Sequence, residues 1–202
     1  MAVVSLSACA NLTKVEDTPA EQPPMRWDQH PEAIEWTEST LVALSTKDEQ
    51  LSEKVPADIE TWCPAYEDAP IESRRAFWAG LISTVAKYES TWNEDASGGG
   101  GRWIGLMQIA PRTAGYFGCD ATSVGELKDG EANLACAVDI LSVQVAKDGL
   151  VAGDGDRGIG RDWAPLRSDE KRTEMAAWTS EQPYCQRTAL LDDKKTRLQF
   201  IR

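Results

Sequence analysis

The residues best placed to do chemistry lie between positions 85 and 109, VAKYESTWNEDASGGGGRWIGLMQI. An amphipathic helical pattern ends at Glu89, directly before a polar, glycine-rich loop. That loop runs into the apolar stretch Ile104-Gly105-Leu106-Met107-Gln108-Ile109. A carboxyl group at the C-terminal end of a buried helix feels the negative end of the helix dipole, and apolar neighbours strip it of water. Both effects favour the protonated form and raise the pKa, as a general acid working near neutrality requires. On residue types alone, Glu89 reads more readily as a solvated helix-end carboxylate.

Other chemistries find less support. His30 is the single histidine, which removes His-base catalysis and His-rich zinc sites from consideration. The cysteines at 9, 63, 119, 136 and 185 form no CxxC pair. Residues 153–158, Gly-Asp-Gly-Asp-Arg-Gly, satisfy GxGxxG in form. However, no strand precedes them, and Asp154 and Asp156 would repel a pyrophosphate. As a calcium loop the same stretch fails where an EF-hand needs its further oxygen ligand and its glycine, because Gly158 and Ile159 stand there. No metal and no cofactor is expected. The 21 basic against 33 acidic residues give a net charge of −12, which argues against nucleic acid as a partner.

Three helices are expected to position this segment. Over 72–90, Phe77, Leu81, Val85 and Tyr88 recur at spacings of four and three, with Trp78 and Ile82 widening the stripe. Over 131–147, Leu134, Val138, Leu141 and Val145 share a face, with Asp129 or Gly130 as the start and Gly149 as the stop. Over 168–182, Ser168 is the N-cap, Asp169 and Glu170 complement the positive end, and Pro183 follows. Little of the sequence alternates as strands do. The expected fold is mainly α, with long Gly-rich connections at 96–105 and 149–161 and a compact domain over 56–202. Residues 10–55 read as a tether carrying short helices, because Pro19, Pro23, Pro24 and Pro31 stand among polar residues and apolar contacts are sparse.

The front of the chain, 1–9, is apolar and small and ends Leu6-Ser7-Ala8-Cys9. This resembles the lipobox of bacterial lipoproteins, in which the cysteine is lipidated. The stretch departs from a full signal peptide, having no Lys or Arg before Cys9 and only a short apolar run. Setting Cys9 aside leaves four cysteines and three possible pairings. Their settings favour Cys63–Cys185, near the two ends of the domain, and Cys119–Cys136. The expected localisation is exported, as a periplasmic, outer-membrane lipoprotein held to the membrane through Cys9.

Within 60–165 the chain resembles the catalytic domain of the soluble-type lytic transglycosylases, a lysozyme-like family that cleaves the glycan strands of peptidoglycan. Glu89-Ser90 matches the family's Glu-Ser pair, and Gly105-Leu106-Met107-Gln108-Ile109 its Gly-Leu-Met-Gln signature. Asn133-Leu134, Ala137 and Ile140-Leu141 resemble its third motif, with Ala for Gly and Ile for Tyr. The family's Ala-Tyr-Asn motif is missing, and Arg161-Asp162-Trp163-Ala164-Pro165-Leu166-Arg167 occupies that region. The resemblance implies a lysozyme-like SLT fold and peptidoglycan as partner. It makes Glu89 the catalytic acid and then base, with a 1,6-anhydro product. It further implies Ser90 and Gln108 as hydrogen-bond partners, Gly105, Met107, Ile109 and Asn133 as cleft residues, and Trp163 in place of the family Tyr.

Trp92 and Trp103 bracket the Gly98–Gly101 run and could stack on the apolar faces of sugars. Trp36, Trp62, Trp78 and Trp178 read as packing residues. Arg102 and Arg112 could attract lactyl and stem-peptide carboxylates, although each also reads as solvated surface charge. Three alternatives stay open. One is a hydrolytic lysozyme with Glu94 or Asp95 as second carboxylate. Another is a peptidoglycan-binding module without activity. The third is a wall-opening component of a phage-like particle.

Overall fold

A computed structural model describes residues 22–187. The Cys9 lipidation site falls outside them. Six helices carry the fold: α1 (Ala33–Ser45), α2 (Ile59–Trp62), α3 (Ile71–Glu89), α4 (Pro111–Phe117), α5 (Gly130–Asp148) and α6 (Asp169–Ser180). Short 3-10 turns link them. A two-residue antiparallel hairpin, β1 (Ser97–Gly98) with β2 (Trp103–Ile104), pairs Ser97 with Ile104 and Gly98 with Trp103.

Helices α3, α5 and α6 lie within two residues of their expected spans. The Asp129 carboxylate accepts from Ala132 N at 3.0 Å at the head of α5, and Gly149 closes it in the left-handed region at φ +64°. The Ser168 side chain accepts from Lys171 N at the head of α6. Helix α3 is the central element. All of its residues from Ala76 to Ala86 are buried, so it is enclosed on every side rather than amphipathic in the surface sense. α1 and α6 pack against it, and α5 packs against α1.

The expected tether takes a different form from Gln22 onward. Trp27 is fully buried, its indole N–H donating to Thr37 Oγ1 at 2.9 Å, and Trp36 and Leu44 of α1 are buried beside it. Tyr66, at the centre of the other half of the core, accepts from Trp78 Nε1 at 2.9 Å and donates to Leu51 O at 3.2 Å. Residues 22–55 are therefore part of the domain. The short helix was expected, and its burial was not. The buried face of α1, Ala33, Trp36, Thr37, Thr40 and Leu44, recurs at helical spacing, but two threonines share it, so no wholly apolar stripe marks it in the sequence.

Cys63 is bonded to Cys185 and Cys119 to Cys136. The first bridge spans 122 residues of chain and joins the two ends of the domain. Trp62 and Trp78 are buried, while Trp178 is half-buried under the Arg26 guanidinium. No helix among the described residues is long and apolar enough to cross a membrane.

Candidate active site

The loop from Ser90 to Ala110 is held in shape by Asn133 on α5. This side chain is fully buried, and all of its polar atoms are engaged. Its oxygen accepts Met107 N at 2.8 Å, and its amide donates to Ile104 O at 3.0 Å and Leu127 O at 2.8 Å. Gly105 lies against it at φ +75°. A Cβ there would sit 2.2 Å from Leu127 O and 2.3 Å from Asn133 Nδ2, so only glycine fits. Trp163 closes the other side, its indole N–H donating to Met107 O at 2.9 Å. Asn133, Gly105 and Met107 were expected to face the cleft. All three are buried, and their part is to fix the loop.

Among the described residues, three other than glycine have positive φ, and all fall in this segment: Thr91 (+55°), Trp92 (+57°) and Gln108 (+48°). Such strain persists only where surrounding contacts over-determine it. Gln108 has them, its amide donating to Gly105 O at 2.9 Å and Ala96 O at 3.3 Å.

Glu89 is the last residue of α3, half-buried, with its pKa raised to about 7. Desolvation is the main cause, and the ammonium of Lys171 on α6 pulls the other way. Among the described residues nothing hydrogen-bonds the carboxylate. Lys171 Nζ lies 5.0 Å over the Tyr88 ring, and the Tyr88 hydroxyl donates to Glu174 at 2.9 Å. Glu174 is also paired with Arg26 and Lys87. A protonatable carboxyl with one nearby cation and no second carboxylate in contact can deliver a proton to a leaving oxygen and take one back.

A cavity of about 70 Å³ opens beside Gln108, lined by Trp103, Gln108, Ile109, Ala110, Thr113, Ile140, Asp162 and Trp163. The structure thus brings together Trp103, Gln108, Ile109 and Trp163 of the expected site residues. Trp103 is 47% exposed, with Arg102 packed at 5.3 Å from its ring centre, and forms an accessible aromatic wall. Trp92 is placed otherwise. Its indole N–H donates to Ser83 O at 2.9 Å and its ring lies 5.5 Å from His30, which makes it a packing residue. Ser90 donates to Ala86 O at 3.3 Å, within its own helix.

Glu94 lines a separate acidic pocket with Glu32, Glu35, Trp36, Asp129 and Glu131, and Asp95 lies 78% exposed against Lys128. In the 149–161 loop the backbone N–H groups of Val151, Ala152 and Gly153 are taken by the Asp58 carboxylate, and that of Gly158 by Asp148. No group of three metal-ligating side chains occurs among the described residues. Sequence reasoning passed over Lys171, Thr113 and Asp162 as site residues. Asp162 had a signal, since it lies in the stretch that replaces the family Tyr motif, whereas Lys171 sits on a distant helix and had none.

A mainly helical, lysozyme-like domain with a glutamate at the end of its buried helix is the class this fold and site define. Residues 70–150 match the transglycosylase SLT domain, and the chain carries that domain there. Three similar solved structures are all of Bd0314 DslA. The wild-type form 2 is 26% identical, with a TM-score of 0.73, covering 83% of this chain and 100% of that one. Two mutants, each with a glutamate changed to glutamine, match at TM-scores of 0.72 and 0.73 with 26% and 25% identity. They cover 81% and 83% of this chain and 98% and 100% of theirs. No curated protein matches this chain. The SLT domain marks a glycan-cleaving enzyme of the transglycosylase type, with peptidoglycan glycan as its substrate.

Proposed function

We propose that the protein is a peptidoglycan lytic transglycosylase that cleaves the β-1,4 bond between N-acetylmuramic acid and N-acetylglucosamine. The observation that carries this reading is Glu89, a lone desolvated carboxyl with its pKa raised to about 7. About half of it is protonated at neutrality, and this form can donate its proton to the glycosidic oxygen as the C1–O bond breaks. The resulting carboxylate then accepts the proton of the muramic acid C6 hydroxyl, whose oxygen bonds to C1. A 1,6-anhydro sugar forms and water is not consumed. Intramolecular attack gains the advantage of proximity. The chain's own residues contribute orientation: Trp103 offers a stacking face, and Asn133, Gly105 and Trp163 hold Gln108 in its strained conformation.

A hydrolytic mechanism needs a second carboxylate flanking the bond. The remote pocket around Glu94 and the Lys128 contact of Asp95 weigh against either residue in that role. Digestion of purified peptidoglycan, followed by mass analysis of the released muropeptides, tests the reading. Anhydro ends support it, reducing ends replace it with hydrolysis, and binding without cleavage replaces it with a binding module. Export as an outer-membrane lipoprotein through Cys9 belongs to the same proposal. Two disulfides suit an oxidising compartment, and fatty-acid labelling that disappears in Cys9→Ala checks it.

A further inference from the structure

We infer that Asp162 is a specificity-determining residue of the glycan cleft, accepting a hydrogen bond from a polar hydrogen of a sugar ring packed against Trp103. The inference rests on the reading of that cleft as a glycan site. Within the cavity beside Gln108, Trp103, Ile109, Ala110, Ile140 and Trp163 are hydrophobic, and the Gln108 amide is engaged with Gly105 O and Ala96 O. Asp162 is the one ionisable side chain among the eight that line it.

Its carboxylate lies at the exposed rim of the cavity and is half-used. Oδ2 accepts from Gln144 Nε2 at 2.7 Å, which fixes the group, and no side chain engages Oδ1 among the described residues. Two arginines flank it, and both are committed elsewhere. Arg161 is bound to Asp148, and Arg167 donates to Gly160 O and Arg161 O. Partial burial raises the Asp162 pKa, while the Gln144 bond and the fields of Arg167 and Arg161 oppose the rise. An acceptor held in this way beside apolar walls can take a charge-assisted hydrogen bond from a sugar N–H or O–H. A ring that lacks the donor forgoes this bond, and the site discriminates by that difference. Asp162 belongs to the stretch where this chain departs from its family's Tyr motif, so the specificity would be particular to this chain.

The test compares Asp162→Asn, Asp162→Ala, Gln144→Ala and Glu89→Gln with wild type on purified glycan strands, with melting temperatures as a check on folding. The Asp162→Ala change is expected to raise KM about tenfold with kcat within about twofold, as loss of a charge-assisted hydrogen bond requires. The Asn variant, which keeps a carbonyl acceptor, should lie between Ala and wild type, and Gln144→Ala should raise KM in the same direction. In wild type KM should rise as pH falls through the Asp162 pKa, because only the ionised form accepts at both oxygens. That limb should vanish in the Asn variant, while the kcat limb set by Glu89 stays. An unchanged KM in Asp162→Ala, or a loss confined to kcat, overturns the assignment. Full activity of Glu89→Gln would instead overturn the proposed mechanism, so the two failures are distinguishable.

Discussion

Asn133 on α5 receives the backbone N–H of Met107 at 2.8 Å, tying the signature loop to a helix 26 residues away in sequence. Its amide nitrogen reaches two further carbonyls, so one buried side chain satisfies three backbone groups. Asn133→Ala leaves those groups desolvated and unpaired. The expected loss of stability is on the order of 3–5 kcal/mol, at about 1–3 for each unsatisfied buried group with partial relaxation. Denaturant unfolding should register it. Activity should fall further than the folded fraction, because Gln108 would relax from its positive φ.

Gly105→Ala should act through the same contact. The new methyl meets a backbone carbonyl and the Asn133 amide, and neither can retreat without breaking the clamp. Positive φ adds about 1 kcal/mol of strain for a residue with a Cβ. The variant is expected to melt below wild type by several degrees or to fail to fold, whereas Gly100→Ala, with open space around its Cβ, should melt within a few degrees of wild type.

These two positions show what the sequence makes legible. Helices α3 and α5 were readable from their apolar periodicity, and α5 and α6 from their cap and stop residues. The motif residues were readable as a group, yet Asn133, Gly105 and Met107 turn out to act on the loop from inside the core. A short motif records that its residues are required and leaves open whether they touch substrate or hold the residue that does. Trp36 packs as expected, whereas the burial of Trp27 was hidden because a single aromatic in a Pro-rich stretch has no period. Asp162, Thr113 and Ile140 meet Trp103 only through tertiary folding, since they come from three separate elements.

The raised pKa of Glu89 predicts an alkaline limb. As general acid it must be protonated, so kcat should fall as pH rises through about 7. Lys171 lowers that pKa by favouring the charged form. In Lys171→Met the limb should therefore move to higher pH, and in Lys171→Arg it should stay close to wild type. Steady-state rates across pH 5–9 would check both, and an unmoved limb in the Met variant would remove Lys171 from the site.

The Cys63–Cys185 bridge closes a loop of about 120 residues. In the chain-entropy model, opening it releases on the order of 4–5 kcal/mol of unfolded-state restraint, against about 3 for the Cys119–Cys136 loop. The double Ala variant of the first pair should lose more stability in denaturant titration than that of the second.

Glu89 should also destabilise the fold at alkaline pH. Its folded pKa, about 7, lies above the ordinary glutamate value of 4.5 that it regains on unfolding. Between those values the folded state holds a proton that the unfolded state has released, so stability declines as pH rises through this window. Below about pH 4.5 both states are protonated and the residue is neutral in its effect. Above about pH 7 the full penalty applies, on the order of 2 kcal/mol once its partial exposure is allowed for. Glu89→Gln keeps the shape and removes the charge. It is therefore expected to melt above wild type at pH 8 and to match it near pH 4, while losing turnover at both. A variant that gains stability where it loses activity would mark Glu89 as a group held in a desolvated site for its chemistry. Equal melting temperatures at pH 8 would mean that the carboxylate is solvated after all.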